Sequence, residues 1–193
     1  MRILDVIGMP PKAVKTLRDL LYWQYAKIIS ESAGFGKSNY RFIMDRYKKL
    51  QTGKMEWSTS IREWIHEKES KDTCIYCGSD GPLTVEHMIP LSRGGPDHPE
   101  NAVWVCGRCN ASKGDKRLYE FFGLEERNRL PRIAEGKYLK LLYDELDKRG
   151  LLEMSRENLG ELCEMCDLDA KCPVAEDLSV YCLEGVFTKY SNA

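Results

Sequence analysis

Eight cysteines in two groups of four limit what this 193-residue chain can fold into. The first group, Cys74, Cys77, Cys106 and Cys109, forms two Cys-x2-Cys knuckles with 28 residues between them. The second, Cys163, Cys166, Cys172 and Cys182, begins after a further 53 residues. The N-terminal stretch MRILDVIGMPPK lacks the apolar core and small-residue cleavage site of a secretory signal. No apolar run approaches the roughly 18 residues of a membrane span. The expected setting is therefore the cytoplasm, with no membrane partner. Thiols stay reduced there, so two quartets point to metal sites and not to four disulfides.

Paired knuckles offer four thiolates to a tetrahedral Zn2+, with Zn–S near ~2.3 Å, and leave no open position for water. Such a site is structural, and its binding free energy stabilises a segment too small to build its own core. The second quartet has one knuckle and two spaced singles, with Pro173 after Cys172. It admits a second Zn2+, a 4Fe–4S cluster or unligated thiols.

Apolar periodicity organises the rest. Val14, Leu17, Leu21, Tyr25 and Ile28 predict a helix over 12–31, opened at Pro10-Pro11 and closed at Gly34 and Gly36. Tyr40, Ile43, Tyr47 and Leu50 predict a second, ending near Gly53. Ile61, Trp64 and Ile65 predict a third over 58–69, with Ser60 and Glu63 at capping-box spacing. These aromatic stripes read as core and not as base-stacking platforms. Density in Gly, Pro and Cys then replaces periodicity over 71–110. Short strands are predicted at 83–86 and 102–105, followed by a helix over 110–122 and another over 132–148 closed by Gly150.

Between the knuckles stand Glu86-His87-Met88-Ile89-Pro90, Gly94-Gly95 and Asn101, and Asn110 follows the last cysteine, with Lys113 three residues later. With these motifs residues 74–116 resemble the HNH endonuclease family, in particular its McrA-like, four-cysteine branch. The resemblance implies a ββα-metal module that hydrolyses phosphodiesters. His87 would be the general base, since an imidazole can take a proton near neutral pH. Glu86 and Asn110 would hold one Mg2+ or Mn2+ through oxygen. Asn101 would fix the loop carrying His87, and Arg93, Lys113 and Lys116 would meet DNA phosphate. Glu stands where the family more often has Asp or His, and Asn110 stands where the name implies His. Adjacent residues of a regular strand face opposite sides, so Glu86 and His87 can share one site only if the strand ends or bends between them. His98, in a loop between prolines, and His66, on a charged helix face, read as surface residues.

Residues 1–71 carry 14 Lys/Arg and 8 Asp/Glu, whereas 154–193 carry 3 and 8. The basic front suits a phosphate-facing surface, with Lys48 and Lys49 in it. The expected fold is α+β: a small HNH module with a four-cysteine zinc site, helical flanks and a cysteine-rich tail. It divides into a basic helical region (1–70), the nuclease module (71–122), a helical extension (123–153) and an acidic cysteine-rich tail (154–193). The expected activity is hydrolysis of DNA by one divalent cation and His87, with RNA second as a substrate and a homodimer or protein partner allowed. The alternative is a non-catalytic, zinc-dependent adaptor for nucleic acid or protein, with an iron–sulfur sensing site as a further variant.

Overall fold

The structure, a computed structural model, describes residues 10–57, 72–168, 172 and 177–189. The helix expected over 58–69, with Ile61, Trp64, Ile65 and His66, lies outside the described residues.

Helix α1 (Leu17–Ser32) starts five residues later than its apolar pattern suggests. Thr16 sets the start: its hydroxyl accepts the Asp19 N–H at 3.1 Å, satisfying one of the open donors of the first turn. Helix α2 (Tyr40–Gln51) is capped in the same way by Asn39, and Ile43, Tyr47 and Leu50 face inward as their spacing predicts. The two pack on each other, and α1 packs on α5 (Arg132–Lys148), where Trp57 sits among Tyr22, Tyr25 and Tyr143. Lys37 anchors this contact from inside, with its ammonium on the Leu130 carbonyl (2.8 Å) and the buried Glu135 carboxylate (2.6 Å).

The small sheet is one antiparallel pair, β1 (Leu83–His87) and β2 (Ala102–Cys106), with Leu83 opposite Cys106 and His87 opposite Ala102. Val103 and Val105 of β2 point into the core, as period-2 alternation requires. Helix α3 (Gly107–Lys113) packs on both strands and completes a ββα unit. The single helix expected over 110–122 is divided. Gly114, at φ 53° and ψ −127°, breaks it, and α4 (Leu118–Glu126) restarts after Arg117. The Lys137 ammonium on the Ala102 carbonyl (2.7 Å) ties α5 to the hairpin.

Among the described residues the C-terminal segment has two short α-helices, α6 (Leu159–Glu164) and α7 (Val180–Glu184). Phe187 and Glu184 are fully buried there. The molecule is α+β as expected, with seven α-helices and a two-stranded sheet among the described residues. No helix among those residues is long and apolar enough to cross a membrane.

Candidate functional site

The first quartet closes the open end of the hairpin. Cys74 and Cys77 lie in a turn whose ends are joined by the Thr73–Asp80 bridge, and the Ile75 N–H donates to the Trp104 carbonyl of β2 at 3.0 Å. Cys106 ends β2 and Cys109 sits in the first turn of α3. All four sulfurs lie within 4.8 Å of one another, and Cys77 and Cys106 are 3.8 Å apart at sulfur. Four sulfurs at ~2.3 Å around a tetrahedral centre stand about 3.8 Å apart, so the set fits Zn2+. The Ser79 hydroxyl and N–H pull the Cys77 thiol down to about 6, whereas burial and the neighbouring thiols push Cys109 up.

Beyond β1 the chain turns through Pro90, a single 3-10 turn (Leu91–Arg93) and Gly94, which takes the left-handed φ of 76°. Asn101 holds this loop shut. Its side-chain oxygen accepts the Ile89 N–H at 2.8 Å, and its amide donates to the Ile89 carbonyl (2.8 Å) and the Pro96 carbonyl (2.9 Å). Asn101 is fully buried, so the three bonds form in a low-dielectric interior where losing one is costly. Gly95 passes so close that a Cβ there would stand 2.1 Å from the Ile89 carbonyl oxygen. This is the physical reason for the second glycine of the pair. His87, at the end of β1, is half-buried, and its Nε2 lies 3.4 Å from Asp97 Oδ1. Asp97 belongs to the same loop and was not singled out by the sequence pattern. Its only signal was an acidic residue two positions after the glycine pair.

Glu86 is placed differently from the expectation. β1 keeps its pairing through His87, so the strand does not bend between the two residues. Glu86 faces the interior at 5% exposure, while His87 leaves the other face. Both Glu86 oxygens are engaged, one by the Lys113 ammonium and the other by the Tyr76 hydroxyl at 2.7 Å. Lys113 also donates to the His87 carbonyl at 2.9 Å. Asn110, half-buried on α3, stands three residues before Lys113 on the same helix. In this arrangement the ammonium occupies the carboxylate that was to meet the divalent cation.

Lys113 and Arg93 are correspondingly absent from the outer surface expected for phosphate contact. Lys113 is 1% exposed. Arg93, also buried, points to the Asp115 carbonyl (2.6 Å) and Asp167 (2.5 Å). Lys116 is exposed, as is His98, whose Nδ1 accepts the Glu100 N–H at 3.3 Å. Removing one partner of a buried ion pair leaves a charge without compensation. Lys113→Met is accordingly expected to lower stability by about 3–5 kcal/mol in urea unfolding, and the added change Glu86→Gln to recover most of it. A Lys113→Met chain as stable as the wild type would remove the pair from this account.

Residues 74–116 match the family model of HNH endonucleases. Part of the chain is 37% identical over 73 residues to the type IV methyl-directed restriction enzyme EcoKMcrA of Escherichia coli K12. That match covers 31% of this chain and 26% of the enzyme, so the chain spans about a quarter of this relative's length. No solved structure matches the chain.

Proposed function

We propose that this protein, whose residues 74–116 match the HNH endonuclease family model, hydrolyses DNA phosphodiesters with His87 as general base. The observation that carries the reading is the setting of His87. It ends a strand held by the four-thiol site on one side and by the Asn101-pinned loop on the other, and remains open to solvent. In hydrolysis the imidazole removes the proton of the attacking water as the P–O bond forms. The imidazolium so produced has the Asp97 carboxylate 3.4 Å from its Nε2. Asn101 keeps the ring in place without touching the reacting atoms, which makes it a positioning residue.

Zinc at Cys74, Cys77, Cys106 and Cys109 supplies structure and no chemistry. A divalent cation would balance the charge on the phosphorane and leaving oxygen. In this arrangement Glu86 is held by Lys113 and Tyr76. DNA-facing contacts are proposed for Lys116 and for the exposed side of α2, where Lys48 is free of the core and Lys49 pairs with Asp45 at 3.0 Å. Phosphate contacts of this kind orient DNA without reading its sequence.

The engagement of Glu86 by Lys113 and Tyr76 favours a second reading, a zinc-dependent nucleic-acid-binding adaptor without catalysis. One assay separates the two. Purified protein with Mg2+ or Mn2+ is expected to convert supercoiled plasmid to open circles, one strand at a time, and EDTA to stop the reaction. Plasmid that stays supercoiled across both metals, under conditions where the protein still binds it, would establish the adaptor.

A further inference from the structure

The C-terminal quartet, like the first, has polar groups of neighbouring residues set against its sulfurs. In the first quartet the Cys77 sulfur lies 3.1 Å from the Ser79 hydroxyl, two residues on. In the second, the Cys166 sulfur accepts the N–H of Leu168, again two residues on, at 3.4 Å. The Cys182 sulfur receives the Ser179 N–H, also at 3.4 Å. The four residues come from separate elements and all pack against the core. Cys163 ends in α6, Cys166 in the turn after it and Cys182 in α7, and Cys172 acts electrostatically on both Cys166 and Cys182. Gly185 permits this approach, because a Cβ there would stand 2.2 Å from the Cys166 sulfur.

We propose that Cys163, Cys166, Cys172 and Cys182 form a second thiolate metal centre, for Zn2+ or an iron–sulfur cluster, and that Asp167 transmits its occupancy to the loop after His87. The two ligands share one chemistry, a thiophilic centre closed by four sulfurs. The quartet is more open than the first, which among the described residues is the one with its sulfurs within 4.8 Å of one another. Metal binding fixes the turn after Cys166, and that turn carries Asp167. Its carboxylate joins two arginines of the module, Arg93 at 2.5 Å and Arg117 at 2.6 Å. Arg93 closes the 3-10 turn next to the Asn101-pinned loop, and Arg117 is fully buried. From the other side, Glu184, two residues after Cys182, accepts the N–H groups of Tyr119 (2.9 Å) and Glu120 (2.6 Å) at the start of α4. Both sides of the quartet thus grip the module where α3 gives way to α4.

The test begins with the full-length wild type purified without oxygen, in which zinc, iron and sulfide are counted. Two zinc ions per chain identify the centre as zinc. One zinc with about four iron and four sulfide identifies a 4Fe–4S cluster. Cys166→Ser/Cys182→Ser is expected to lose the second centre and keep the first zinc. A wild type with a single zinc and no iron, or a double variant that keeps everything, would overturn the metal site. The link is read by hydrogen exchange of amides 91–95, independently of nuclease activity. Asp167→Asn leaves all four thiols in place, and is expected to retain both metals while exchange there quickens at least tenfold. Unchanged exchange in both variants would overturn the role of Asp167.

Discussion

Cys74→Ser is expected to release the zinc of the first quartet and unfold the hairpin, while the helical part of the chain stays folded. Cys74 is 1% exposed and ties the first knuckle to Trp104 of β2 through its neighbour Ile75. The two strands have only five residues each, and a lone two-stranded hairpin is marginal in water. Its apolar interior is small, with Tyr76, Met88, Ile89, Val103 and Val105 as the main buried groups. Structural zinc contributes on the order of 10 kcal/mol to comparable small folds, more than such a core can replace. By contrast α1, α2 and α5 bring many more residues to the core, including Leu17, Leu20, Leu21, Ile43, Tyr47, Leu142 and Leu146. Zinc content, far-UV circular dichroism and hydrogen exchange on one sample check this together. The expected pattern is loss of zinc, rapid exchange over 83–87 and 102–106, and slow exchange persisting in α5. Slow exchange of both strands in a zinc-free variant would show that the hairpin stands without its staple.

That division explains which parts of the molecule could be read from sequence. The first quartet was legible because its signal is local: two identical spacings, each forming one turn. Helices α2 and α5 were legible because Ile43, Tyr47 and Leu50, and the apolar positions of 132–148, keep one period throughout. The strands were found to within a residue. What failed needed either backbone dihedrals or distant neighbours. Gly114 interrupts a sequence that otherwise continues as helix, and only its φ and ψ reveal the break. Lys113 sits at a family phosphate-contact position by pattern, yet its ammonium lies on a carboxylate 27 residues earlier in the chain. Arg93 is held by Asp167, 74 residues away. Period and spacing carry no information about such pairs, because a buried cation is chosen by whichever acid the fold brings beside it.

His87→Ala is the second change with a large expected effect, this time on chemistry instead of folding. A positioned general base contributes roughly 10²–10⁴-fold, so single-turnover cleavage of bound plasmid is expected to slow by that factor. Stability should change little. His87 lies at a strand end, and its contact with Asp97 involves a carboxylate that is 85% exposed, where ion pairs contribute little. Zinc content and melting temperature should therefore match the wild type. Glu86→Gln is the informative companion. With Glu86 engaged by Lys113 and Tyr76, its amide version should lower stability and leave the response of cleavage to Mg2+ and Mn2+ unchanged. If Glu86→Gln instead raises the metal concentration needed for half-maximal cleavage many-fold, the carboxylate exchanges its lysine for a cation when DNA is bound. Cleavage at the wild-type rate by a folded His87→Ala chain would remove His87 as the base. The proton would then have to go to some other group within reach of the same phosphate.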